Sequence, residues 1–243
     1  MRARRIWTVL CFSLIVCLFC LTPAAASAEV YQISKKLRED MPIFRFELAY
    51  DQAQYSAEQS EQRAYYDEGA FYYVHSITVI SEDTGYIVQQ IDLNPAAEVC
   101  DDDQDKDKTL GFVLEDMNFD GFLDMRVMQF ISAGINIPYY CWLWDPGSQS
   151  FAYSEALSAI SSPIFDPVRG QVHGFTTDGT ADINTIYEYR GYELVLVGRV
   201  TTGYDYQAGT MIVTTEELVE GQMLVTDVTK ESLFQSEDGQ FDW

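Results

Sequence analysis

The stretch Leu110-Gly-Phe-Val-Leu-Glu-Asp-Met-Asn-Phe-Asp-Gly-Phe-Leu-Asp-Met-Arg-Val-Met-Gln-Phe130 decides how this chain is read. Its two ends, Leu110–Leu114 and Met125–Phe130, are short apolar runs that read as strands. Between them, Asp116, Asn118, Asp120 and Asp124 place oxygen-bearing side chains at positions one, three, five and nine of a loop. Gly121 falls at position six, where such loops turn sharply with φ > 0. Calcium takes about six to eight oxygen ligands. The backbone carbonyl of Phe122, at position seven, completes a candidate set of Asp116, Asn118, Asp120, Phe122 and Asp124. Position twelve is Val127 rather than the bidentate Glu of an EF-hand, and no helix-period segment flanks the loop. The expectation is a calcium-binding loop between strands. The competing reading is a polar hairpin loop whose Asx side chains cap the backbone. That reading needs only two or three of these residues and leaves the rest of the series unexplained.

Outward from the loop, strands recur about every ten residues. Ile43–Tyr50 alternates, with Phe44, Phe46 and Leu48 on one face and Arg45 and Glu47 on the other. Ala70–Ile80 and Tyr86–Leu93 flank a polar turn at 81–85 and form a hairpin. Tyr139–Trp144 is dense in aromatics and reads as a buried strand. Gln171–Thr177, Thr185–Arg190, Glu193–Val200, Thr210–Thr214 and Met223–Val228 follow, with turn signals between. Residues 154–162 read as short helical or irregular chain, and Phe165–Gly170 as turns. The expected fold is mainly β, an antiparallel β-sandwich with the calcium loop between strands. No fixed-period repeat argues for a propeller.

Residues 1–28 read as a signal peptide. Arg2, Arg4 and Arg5 form a basic start, Ile6–Leu21 is apolar, and Ala26-Ser27-Ala28 offers a small-x-small cleavage site. Residues 29–69 read as a leader, flexible or helical, then the first strand and a helical or loop segment. Residues 70–235 form the sandwich domain and 236–243 a frayed tail. The expected location is therefore exported: extracellular, cell-envelope or periplasmic. The formal charge is −23 overall and −26 without the three basic residues of the signal. Nucleic acids and anionic membrane surfaces both need a positive face, so neither is an expected partner. A basic protein or a cation is.

Three of five cysteines lie in the signal, leaving Cys100 and Cys141. In an exported chain two cysteines suggest one disulfide, the alternative being two buried thiols. The acidic run Asp101–Lys108 lacks a turn glycine and reads as a solvated charge run rather than a second metal loop. No nucleophile elbow, P-loop or H-E-x-x-H is present. His75 and His173 lie in strand patterns and read as structural. The chain is not expected to be an enzyme; a glycan-active hydrolase using unidentified carboxylates is the remaining enzymatic reading.

The segment Leu114–Val127 resembles the E-D-x-N-F-D-G-x-x-D segment of a bacterial exported family. Further pieces match in order: Thr84–Ile91, Tyr139–Asp145, Phe151, Leu157–Asp166 and the Tyr187–Leu196 hairpin. The likeness covers roughly residues 72–200. The loop core alone is shared with integrin-type FG-GAP, thrombospondin and dockerin loops; the surrounding pieces give the match its specificity. The family includes periplasmic immunity proteins that block lysozyme-like effectors of interbacterial secretion systems. Its fold is similar to that of inhibitors of invertebrate-type lysozymes. The resemblance implies calcium (Ca2+) as cofactor on the five residues above, and a basic lysozyme-like protein as partner. Inhibition of that kind inserts a loop into a substrate cleft. Residues 132–140 are the candidate, with Asn136 on the loop and Tyr139 or Tyr140 as anchor; the alternative places both tyrosines in the core. A calcium-dependent carbohydrate- or protein-binding module without inhibitory activity is the second expectation.

Overall fold

A computed structural model describes residues 29–53, 70–101, 111–130 and 136–233. The signal segment, the 102–110 charge run and the final residues fall outside the described residues, as do 54–69 and 131–135.

Fourteen strands and one short helix make up these parts. β1 (Glu29–Lys36), β2 (Ile43–Gln52), β3 (Ala70–Ser81) and β4 (Ile87–Asp101) pair in sequence order as the first sheet. β5 (Phe112–Glu115), β6 (Asp124–Met128), β7 (Tyr139–Asp145) and β8 (Ser150–Tyr153) form the second. Helix α1 (Glu155–Ser158) follows, with the Ser154 hydroxyl capping it by accepting from the Leu157 amide. The third sheet runs from β9 (Ile164–Asp166) and β10 (Gln171–Thr177) through β11 (Ala181–Arg190) and β12 (Glu193–Asp205) to β13 (Thr210–Val219) and β14 (Gln222–Ser232). Every pairing is antiparallel between consecutive strands. The fold is mainly β, as the alternating patterns predict.

The first two sheets pack face to face over the main core. Phe44, Phe46 and Leu48 of β2 meet Phe112, Met125, Val127, Trp142, Trp144 and Phe151 of the second sheet. The Phe46 ring lies 5.5 Å from Phe112 and 5.9 Å from Phe151, and Phe44 lies 5.4 Å from Trp144. Burying one such side chain contributes about 1.5–3 kcal/mol. Polar ties close the seam: the Gln89 carboxamide exchanges two hydrogen bonds with the Phe151 backbone, and the Glu98 amide donates to the Gln129 carbonyl.

The second sheet is buried on its other face as well. Met117 and Cys141 pack there with Leu157 and Ile160 at the helix and Val172 of β10. Through β9–β11 the third sheet docks onto this smaller core. At the joint, Gly174 is required for space: a Cβ there would lie 2.6 Å from Ile160 Cγ2 and from Thr185 Oγ1.

Two expectations are corrected. Residues 29–36 are not a flexible or helical leader but strand β1, paired with β2 from Glu29↔Tyr50 to Lys36↔Ile43. Its polar composition suits an edge strand, of which Tyr31 and Ile33 pack against the core. Residues 164–166 form strand β9 where turns were expected.

Candidate functional site

The loop joins β5 to β6, closed at its base by the Glu115↔Asp124 pair. Two left-handed residues bend it, Phe119 at φ 62° and Gly121 at φ 87°. Nothing lies near the missing Cβ of Gly121, so its requirement is conformational rather than spatial. Asp116 Oδ1 accepts from the Asp120 amide at 3.1 Å, and Oδ2 from the Gly121 amide at 2.9 Å. Asn118 Oδ1 accepts from the Asp120 amide at 3.2 Å, while its Nδ2 donates to Asp120 Oδ2 at 3.0 Å. Asp120 Oδ1 accepts from the Phe122 amide at 2.9 Å. The three polar side chains thus converge on the loop's own turn.

Asp124 lies beneath them with 0% of its surface exposed. Its Oδ2 accepts from the Met117 amide at 2.8 Å and its Oδ1 from the Trp144 amide at 2.7 Å. One carboxylate therefore staples the loop to β7. Its pKa is raised to about 7, chiefly by burial; the Trp144 and Met117 amide hydrogen bonds pull it down, and the charges of Asp120 and Asp116 add to the rise. The Phe122 side chain enters the main core, with the Arg38 guanidinium 3.9 Å above its ring, and the Leu123 amide donates to the Leu37 carbonyl.

The donor set is all oxygen, the chemistry of a hard cation, and each Asp124 oxygen keeps a second lone pair. Among the described residues, no three His, Cys, Asp or Glu side chains stand close enough to hold a metal by themselves. The expected set counts three carboxylates, Asp116, Asp120 and Asp124, and the structure does not bring them into one such group.

The residues expected to meet a partner do not form one surface. The Asn136 carboxamide donates to the Thr177 carbonyl at 2.6 Å and accepts from the Thr177 amide at 2.8 Å, as a neighbouring strand would. Tyr139 and Tyr140 are successive residues of β7, so they point to opposite faces. Tyr139 packs on the smaller core, where Arg126 lies 4.4 Å above its ring. Tyr140 packs on the main core, and its hydroxyl donates to the Pro95 carbonyl at 3.2 Å.

The expected Cys100–Cys141 disulfide is not made: Cys141 is a free, buried cysteine. Strand parity explains this. Trp142 and Trp144 face the sheet that contains Cys100, so Cys141 faces the smaller core on the other side. Burial pushes its thiol up to about 12. His75 is exposed and pairs with Asp51.

Sequence reasoning missed Arg126. It forms a 2.5 Å ion pair with Glu115, donates to the Pro163 carbonyl at 2.9 Å, and lies 5.3 Å from the Phe165 ring centre. One side chain thereby joins the loop strands to β9. Its place in the alternating Met125-Arg126-Val127 run, facing away from two core residues, was the available signal.

No protein-family model and no curated protein matches the chain. A solved structure described as that of a Xanthomonas type IV secretion system related protein matches with a TM-score of 0.55 at 18% identity, covering 82% of this chain and 99% of that one. At that identity the likeness speaks for the fold. No described helix is long and apolar enough to cross a membrane.

Proposed function

We propose that the protein is an exported, calcium-stabilised binding protein that inhibits, or gives immunity against, a lysozyme-like peptidoglycan hydrolase. The observation that carries the metal half is the buried Asp124 carboxylate under two further acids, Asp116 and Asp120, whose charges oppose its own. A cation above it would turn that repulsion into cohesion. Asp116, Asn118, Asp120 and Asp124 would hold it, with the Phe122 carbonyl. Calcium supplies charge and coordination there and no reaction; the chain's own part is to pin β5, β6 and β7 together. The partner half draws on the strong negative charge, which steers basic enzymes. It also draws on the fold likeness to a secretion-system related protein.

Calorimetry with calcium should show saturable binding, and calcium should raise the unfolding midpoint. At a hundredfold excess over Kd the gain is about 2.7 kcal/mol. Asp120→Ala should lose both effects; unchanged affinity in that variant would remove the metal site. Inhibition of a purified lysozyme at stoichiometric concentration tests the partner, and a panel without inhibition would sink that half alone. The second reading, a calcium-dependent carbohydrate- or protein-binding module without inhibitory activity, is favoured by the Asn136 tether, which commits a residue of the candidate inserting loop to β10. Glycan or protein binding that a chelator abolishes, without inhibition, would select it.

A further inference from the structure

Between the β4 edge and the β7–β8 hairpin lies an open groove of about 340 Å³. Three aromatic rings line it. Trp142, 6% exposed, forms the floor. Tyr140 stands 6.0 Å from it, inclined at 44°, and is fixed by its hydroxyl on Pro95. Tyr153 stands 5.7 Å away on the other side at 63° and is 52% exposed. The rings therefore slant around a shared space instead of stacking. Asp92 and Asn94 stand on the β4 rim, and among the described residues no lysine or arginine lines the groove. The Asp92 carboxylate accepts from the Gln90 carboxamide at 3.5 Å, on the face of β4 turned away from Ile91 and Leu93.

Aromatic faces carry negative charge density and attract cations within about 6 Å of the ring centre. A groove with three such rings, no cation among its described lining residues and a −23 chain around it favours a positive guest. We infer that this groove receives the guanidinium or ammonium of an Arg or Lys side chain presented by a basic protein partner. Arginine is the better fit, because its planar head stacks on rings and is weakly hydrated. The inference rests on the reading of the protein as a binder of a basic partner.

The test titrates N-acetyl-arginine amide, N-acetyl-lysine amide and the neutral isostere N-acetyl-citrulline amide into the full protein, read on the NMR signals of Trp142 and Tyr153. Arginine amide should shift both saturably, at least tenfold more tightly than citrulline amide. Tyr153→Ala, at an exposed position, should weaken it at least fivefold with the unfolding midpoint kept. Equal binding of citrulline amide, no saturable shift, or preference for N-acetylglucosamine would overturn the proposal, the last by making the groove a saccharide site. A lysozyme panel separates the two readings. Arginine binding without inhibition leaves the groove standing and removes the inhibitor. Inhibition unchanged by Tyr153→Ala removes the groove and leaves the inhibitor.

Discussion

The two ends of the molecule are built on different principles. From β1 to β8, two sheets share an interlocked core, and the second of them is covered on both faces. From β11 to β14, long strands pair with one another, and among the described residues no apolar side chain beyond Val172 is buried. Ile212, Leu224, Val225 and Val228 lie open to solvent. The first region is held by desolvated apolar surface, the second by backbone ladders and cross-strand pairs, each worth about 0.2–1 kcal/mol. The candidate metal loop belongs to the first region: Asp124 reaches β7, and Phe122 enters the core. The candidate loop thus adjoins the buried core and not the open sheet.

The contrast predicts a ranking of substitutions, measured by urea or thermal unfolding. Phe46→Ala, at a fully buried position touching two rings across the seam, should cost about 3–5 kcal/mol. A loss near 1 kcal/mol would mean that the two sheets are not the stabilising pair. Asp124→Ala leaves the Met117 and Trp144 amides without their acceptor and should cost about 2–4 kcal/mol without calcium, with Asp124→Asn recovering part. If Asn and Ala behave alike, the staple is not made by hydrogen bonds. Gly174→Ala, at the joint, should cost about 1–3 kcal/mol by displacing Ile160 and Thr185. Its signature should be faster amide exchange in β10–β14 than in β1–β8; uniform acceleration would refute the division into two regions. Leu224→Ala, on the open sheet at 45% exposure, should change stability by less than about 0.5 kcal/mol. A larger effect would show that something covers that face in solution.

Strands were readable where one face is buried and the other wet. Gln171–Thr177 is β10 from end to end, and Ile43–Tyr50 lies within β2, because Phe44, Phe46 and Leu48 alternate with polar neighbours. β1 was lost because an edge strand with polar residues carries little periodic signal. Helix α1 is a single turn, and only its Ser154 cap and the following Glu155 mark it.

By itself, the sequence determined most strands other than β1 and β9, the left-handed turn at Gly121 and the oxygen-rich loop between β5 and β6, since these depend on neighbours within a few residues. Tertiary structure alone decided that three sheets form, and that Asp124 faces inward to two amides from different strands. It also decided that Cys141 turns away from the sheet of Cys100, and that Tyr140, Trp142 and Tyr153 surround one groove. Each of these depends on which distant strand supplies the neighbour and on which face of a strand meets it. Period-two alternation gives relative sides but not the identity of what lies beyond them.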